Sequence, residues 1–346
     1  VNSVWGGHET KFFFSLTPDR VLEAVERVGI RTTGKCLALN SMENRVFDVE
    51  LEGMEGLKNP ADRSRVVKFY RPGRWNREQI LEEHGFLREL AAAEVPVVAP
   101  LEFPSGGTLE TDPESGILYA VFPKRGGRAP DELSDSQLAW IARTLARLHN
   151  IGEQSQAEHR LLLGPETYGY ANIDYLLGEN WIPLDFERRY SEALEGILEI
   201  SAPWFDEVHP QRIHGDAHLG NFLWRAEEGP LLLDFDDMAM GPVVQDFWLL
   251  FSGRDEATKR SWEIFLDAYL TLRDFDRSTL RLVEPLRALR FVHFSAWIAR
   301  RWEDPSFQAA FPRFNSHEYW REQTEDMEEQ LSLVQLAETR PYFDTF

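Results

Sequence analysis

Two short stretches, His214–Asn221 and Leu231–Asp237, constrain this chain more than the rest of its 346 residues. The first reads His-Gly-Asp-Ala-His-Leu-Gly-Asn. The second is an apolar run, Leu231-Leu232-Leu233, that ends in Asp234-Phe235-Asp236-Asp237. Three carboxylates in four residues repel one another unless something neutralises them. A hard cation is the natural counterion, since Mg²⁺ takes oxygen ligands and keeps some of its waters. Taken alone, the acidic run could also be a solvated turn. The preceding stretch argues against that, because it supplies another carboxylate and an amide.

In that stretch Asp216 and Asn221 follow His214 with the H-x-D-x₄-N spacing of kinase catalytic loops. Phosphoryl transfer needs a base aimed at the acceptor hydroxyl and metal ions on the phosphates. Asp216 would be the base, and Asn221 and Asp234 the Mg²⁺ ligands. Gly215 lets the backbone pass close to other groups. Two rival readings remain. His214, Asp216 and His218 form an H-x-D-x-H set that could bind a transition metal. An apolar strand followed by Asp-x-Asp is also a pattern of phosphatases that use the first Asp as nucleophile. Those enzymes place it near the start of a parallel sheet, and here it lies two-thirds along the chain.

Hydrophobic periodicity divides the chain. Thr17-Pro18-Asp19 starts a helix carrying Val21, Leu22, Val25 and Val28. Strand-like runs follow at Thr32–Leu39, Val46–Leu51 and Val66–Tyr70, the last two separated by a turn-rich stretch, Gly53–Ser64. A helix is predicted over Asn76–Ala93, with further strands at Val97–Phe103 and Leu118–Phe122. Pro123–Arg128 reads as a linker. Beyond it the signal is mostly helical, with an irregular stretch over Ala157–Pro183, a helix over Glu187–Ile200 and a buried strand at Leu231–Leu233. The expected class is therefore α+β. A small β-rich N-lobe would span residues 1–123 and a larger, mostly helical C-lobe residues 124–346.

Charge and cysteine content narrow the function. The net charge is −21. Residues 1–125 hold 16 basic and 19 acidic side chains, and residues 126–346 hold 21 and 39. No non-specific binding to nucleic acid or to an anionic membrane is expected. The acidic second half could attract a cationic substrate. A single cysteine, Cys36, excludes an intramolecular disulfide and a Cys-rich metal cage. No apolar run is long enough to span a membrane, and Phe12-Phe13-Phe14 is too short for a signal-peptide core. A cytoplasmic protein is expected.

His-Gly-Asp-x-His-x-Gly-Asn, the apolar strand ending at Asp234-Phe235-Asp236, and Gly241-Pro242 with Gln245-Asp246 together resemble the aminoglycoside phosphotransferase and choline kinase superfamily. Leu39–Phe47, Lys68–Pro72, Trp75, Ile80–His84, Val95–Val97 and Glu284–Ala288 extend the resemblance over nearly the whole chain. They look like the superfamily's bacterial Ser/Thr protein kinases of the stress response. The resemblance implies a bilobal, protein-kinase-like fold, ATP as co-substrate, Mg²⁺ as cofactor, and a protein Ser/Thr hydroxyl as acceptor. An amino alcohol or an aminoglycoside-like compound is the alternative acceptor. By position, Asp216 matches the proton acceptor, Asn221 and Asp234 the metal ligands, and Lys68 the lysine on the α/β-phosphates. Ser41 is carried over as an ATP contact in the turn Asn40–Asn44. A carboxylate on the next helix should brace Lys68. Glu82 and Glu83 both lie within reach, and Glu83 shares a face with Ile80, Leu87 and Leu90, so Glu83 is the expected partner. Asp246 is expected to brace the catalytic loop, and Asp236 is a weaker metal candidate.

Overall fold

The computed structural model describes residues 13, 16–54, 57, 59–225, 228–251 and 253–344. Phe12 and Phe14 lie outside the described residues, as do Glu55, Gly56 and Lys58 of the expected turn-rich stretch. The chain divides into two compact units, Val1–Asp131 with Gly220–Asp236, and Glu132–Leu219 with Asp237–Phe346. The segment Gly220–Asp236 packs with the first unit, although the chain reaches it after the second has begun.

In the first unit, α1 (Pro18–Glu26) precedes a five-stranded antiparallel sheet built from β1 (Thr32–Ala38), β2 (Arg45–Leu51) and β3 (Ser64–Phe69). Next come α2 (Arg77–Ala92), β4 (Glu110–Thr111) and β5 (Leu118–Pro123), and the spatial order is β1-β2-β3-β5-β4. The register pairs Val46 with Lys68, and Lys68 with Ala120. Alternation then gives the sheet two chemically different faces. Val49, Leu51, Val67, Phe69, Tyr119 and Val121 are buried with Val21 and Val25 of α1. The other face carries Asp48, Ser64, Val66 and Lys68. Thr17 starts α1 in extended conformation, but without the side-chain capping bond its hydroxyl could make. Asn76 and Gln79 close a capping box on α2.

The strand expected at Val97–Phe103 does not form. Pro100 interrupts the segment and removes a ladder donor, and Pro96 and Pro104 bound it on either side. What remains is an extended strap. Leu101 N–H donates to Val121 O at 2.7 Å, and Val97 makes a single bridge to Leu232. The strand expected at Leu231–Leu233 is Gly229–Leu232, the second arm of a hairpin whose first arm is Phe222–Arg225.

The second unit is helical. It holds α3 (Asp135–Gly152), α4 (Ala171–Gly178), α5 (Leu184–Asp206), α6 (Gln245–Trp248), α7 (Glu256–Leu270), α8 (Val283–Arg300), α9 (Pro305–Ala310) and α10 (His317–Ala337). Helix α3 packs on α7, and α10 packs on α5 and α8. The stretch read as irregular holds a π-helical turn, Pro165–Tyr170, running into α4. Its apolar residues are too few and too mixed with Gly and Tyr to show a 3.6-residue period. A two-stranded ladder, Gln211–Ile213 against Ala239–Gly241, frames the loop that carries Asp216. Among the described residues, no helix is long and apolar enough to cross a membrane.

Candidate active site

In the first unit, the polar face of the sheet gathers charge around Lys68. Its ammonium lies 3.1 Å from Asp236 Oδ1, 3.4 Å from Asp234 Oδ1 and 3.8 Å from Glu83 Oε1. Strand β3 presents the lysine, α2 the glutamate, and the end of the hairpin the two aspartates. Glu83 is 1% exposed, on the helix face it shares with Ile80 and Leu87. Burial alone would lower the Lys68 ammonium. The Asp236, Glu83 and Asp234 carboxylates outweigh burial and raise it well above its ordinary value. Lys68 therefore stays protonated and can meet an anion.

The turn between β1 and β2 is held from below. Arg71 donates its backbone N–H to Asn44 Oδ1 at 3.0 Å, and its Nε to Glu43 O at 2.8 Å. Arg74 lies 2.7 Å from Glu43 Oε2, and its Nε lies 3.4 Å from Asp236 Oδ2. Glu43 and Asn44 thus turn their side chains inward onto arginines, which explains how bulky residues fit a turn expected to approach phosphate. Ser41 is half-buried at the start of this bend. On the same sheet face a cavity of about 680 Å³ is lined by Lys35, Leu37, Asp48, Glu50, Ser64 and Lys124, among others.

Asn221 and Asp234 belong to the same hairpin. Leu233 N–H donates to Asn221 O at 2.8 Å, which fixes the residue before Asp234 against Asn221. Asp234 has a left-handed φ of 59°, a conformation aspartate tolerates better than most residues, and its side chain is 58% exposed. An amide oxygen and an exposed carboxylate form a hard, oxygen-only pair, which fits Mg²⁺ rather than a thiophilic metal.

The second unit carries Asp216. Asp246, wholly buried, accepts the N–H of His214 on Oδ2 and the N–H of Gly215 on Oδ1, both at 2.8 Å. Its Oδ2 also lies 3.0 Å from His149 Nε2. Gln245 Nε2 donates to Gly215 O at 2.8 Å. Gly215 has a φ of 86°, and a Cβ there would stand 2.1 Å from Asp237 O. His214 is buried and its Nδ1 accepts the Asp216 N–H at 3.2 Å, so this nitrogen faces its own loop.

Asp216 itself meets Arg290 Nη1 of α8 at 2.7 Å and His218 Nε2 at 3.4 Å. Burial would push its carboxyl up. The His218 hydrogen bond and the Arg290 guanidinium outweigh burial and hold it well below the usual carboxylate range.

Sequence reasoning missed Arg290, Arg71 and Arg74 as parts of this chemistry. Arg71 and Arg74 stand just beyond β3, where a pair of basic residues after a buried strand was a readable signal. Arg290 lies 74 residues from its partner on a helix whose periodicity reports only packing.

Several comparisons place the chain. The model of the phosphotransferase enzyme family matches residues 37–283. Stress response kinase A of Escherichia coli (strain K12) is 38% identical over 325 residues, which is 93% of this chain and 95% of that protein. A serine/threonine protein kinase, RdoA, of Salmonella typhimurium is 37% identical over 324 residues, again 93% of this chain and 94% of the other. Among solved structures, amicoumacin kinase hAmiN in complex with AMP-PNP, Ca²⁺ and Ami superposes with a TM-score of 0.72 at 18% identity, covering 94% of this chain and 96% of that one. A microcompartment-associated aminopropanol kinase does so at 0.68 and 17%, covering 95% and 100%. The α+β, protein-kinase-like fold expected from the sequence is the fold of these neighbours. The family model spans parts of both units and the relatives match along nearly their full length, so the chain belongs to the phosphotransferase enzyme family, as one of its kinases.

Proposed function

We propose that the chain is an ATP- and Mg²⁺-dependent Ser/Thr protein kinase acting in a bacterial stress response. The observation that carries the nucleotide half is the meeting of Lys68, Glu83 and Asp234, which lie far apart in sequence and come together on one polar sheet face. The protein-acceptor half is supported by the full-length relatives named as stress response and Ser/Thr kinases.

In this reading Lys68 orients the α- and β-phosphates, with Glu83 and Asp236 holding the ammonium in place. Ser41 and the Asn40–Asn44 turn cover the phosphates, and the cavity beside Lys124 receives the rest of the nucleotide. Asn221 and Asp234 would hold Mg²⁺, which when bound neutralises charge on the phosphates and aligns them. Asp216 takes the proton of the acceptor hydroxyl as its oxygen attacks the γ-phosphorus. The bond to the β-phosphate oxygen breaks and ADP leaves. Asp246 contributes by fixing the backbone that aims Asp216.

A metabolite kinase acting on an amino alcohol is the second reading. The acidic excess in residues 126–346, 39 acidic against 21 basic side chains, favours it. The test is γ-labelled ATP with Mg²⁺, generic acidic and basic proteins, and a pool of amino alcohols and aminoglycosides. Label on protein Ser or Thr supports the first reading. Label confined to a soluble product overturns it in favour of the second.

A further inference from the structure

The charge around Asp216 runs opposite to the charge of its half of the chain. Residues 126–346 are strongly acidic, yet Asp216 pairs with Arg290 and has His218 Nε2 within 3.4 Å. His293 stands one turn beyond Arg290 on α8, on the same helix face. Its ring lies 4.9 Å from Tyr168 of the π-helical turn, and its Nδ1 lies 3.5 Å from Asn172 Nδ2. π-Turns inside helical segments recur at functional sites. Asp246 is engaged with the backbone N–H groups of His214 and Gly215, and the Arg290 guanidinium lies 2.7 Å from Asp216 Oδ1. The Arg290 and His218 side chains are 37% and 40% exposed, so both can meet a solute.

We infer that Arg290 is an acceptor-recognition residue, and that the acceptor carries an anionic group beside the hydroxyl that is phosphorylated. The inference rests on the kinase reading and names the acceptor class of that site. The argument is one of exchange. Without acceptor, Arg290 occupies one oxygen of Asp216 and His218 approaches the other. A hydroxyl that hydrogen-bonds to Asp216 displaces one of them. A displaced guanidinium keeps its five donors and its charge, and a carboxylate on the acceptor satisfies both in bidentate geometry. An amino alcohol would instead bring its ammonium against Arg290, a like-charge encounter that selects against it. An acidic segment flanking Ser or Thr fits the protein-kinase reading, and a small hydroxy acid shares the same chemistry.

The test uses the full chain with labelled ATP and Mg²⁺. The acceptors are Ser peptides of equal length with Asp/Glu or Lys/Arg flanks, the hydroxy acids serine and glycerate, and ethanolamine and choline. The acidic peptide should exceed the basic one in kcat/KM by about tenfold, the scale of one hydrogen-bonded charge pair. Arg290→Met should remove that difference by raising KM for the acidic peptide, and Arg290→Lys should restore part of it. Should Arg290→Met fail to fold, the lysine variant and the salt dependence of the wild-type preference carry the test, the preference shrinking as salt rises. Equal rates, a preference for basic peptides or ethanolamine, or a preference that survives in Arg290→Met overturns the inference while leaving the kinase reading standing. Activity on hydroxy acids but on no peptide keeps the anionic subsite and removes the protein acceptor. Transfer to none of the acceptors defeats the kinase reading and the inference with it.

Discussion

Replacing Asp246 by Asn tests how the loop that carries Asp216 is held. The carboxylate accepts two backbone N–H groups at 2.8 Å and faces His149 Nε2 at 3.0 Å. Burial keeps His149 below its ordinary value despite the nearby carboxylate, so the ring is neutral there. A carboxylate only accepts, so Nε2 carries the proton and Nδ1 accepts from Tyr269 OH at 2.9 Å. All three partners of Asp246 are therefore donors. An asparagine fills the same space but has only one acceptor oxygen. Its best orientation keeps that oxygen toward His214 and His149 and turns the amide NH₂ onto the Gly215 N–H. One hydrogen bond to a charged group is lost, at about 1.5–3 kcal/mol, and a buried N–H is left unmet, at roughly 1–3 kcal/mol. The total, about 2.5–6 kcal/mol, is a large fraction of a typical stability of roughly 5–15 kcal/mol. For a unit of about 200 residues the midpoint should fall by roughly 10 °C. Turnover should fall further than stability explains, because a misplacement of about 1 Å in a reacting group costs on the order of 100-fold. Calorimetry and steady-state kinetics on the same preparation read both effects. An Asp246→Asn protein with the wild-type midpoint and wild-type turnover would refute the reasoning.

Lys68→Met removes the ammonium that meets the phosphates, so nucleotide affinity should fall by about 10- to 100-fold, the scale of one hydrogen bond to a charged group; it also leaves Glu83 and Asp236 buried without that ammonium, so the midpoint should drop, the two effects read by titration calorimetry and thermal melting. Gly215→Ala puts a methyl group 2.1 Å from the Asp237 carbonyl oxygen, in a backbone conformation alanine resists, so the variant should melt well below wild type or fail to accumulate. The pH profile gives a signed prediction. His218 and Arg290 favour the Asp216 carboxylate over its protonated form, so Asp216 stays a competent base down through the ordinary carboxylate range. Arg290→Met removes a positive charge, raises the pKa of Asp216, and should move the acid limb of kcat/KM for an uncharged acceptor to higher pH. A limb that stays in place or moves to lower pH contradicts this.

How much of this was readable in the sequence depended on whether the information was local. The two faces of the sheet follow from alternation in Arg45–Leu51 and Ser64–Phe69, which needs no partner to be legible. The Ile80, Glu83, Leu87 stripe likewise predicted the burial of Glu83, because one helix turn repeats every 3.6 residues. The Asp216 loop was legible because six residues, Asp216–Asn221, carried two functional groups at a spacing that kinase chemistry requires. What stayed hidden was non-local or interrupted. Prolines at 96, 100 and 104 leave an apolar run that looks like a strand and cannot pair as one. The hairpin arm Phe222–Arg225 ends a loop and has too few residues to show a period. Arg290 owes its importance to a partner brought in by tertiary structure, and a single sequence holds no record of such a pairing.

The most direct test of the account is one protein, Asp216→Ala, assayed twice. Asp216 lies in the second unit and meets Arg290 and His218, whereas Lys68, Glu83 and Asp234 cluster in the first. If these are separate tasks, the variant should bind MgATP within about threefold of wild type and lose γ-phosphoryl transfer by at least about 10³-fold, the scale at which a general base contributes. Transfer near the wild-type rate by a clean, folded variant, or a collapse of nucleotide affinity alongside it, would contradict that division of labour.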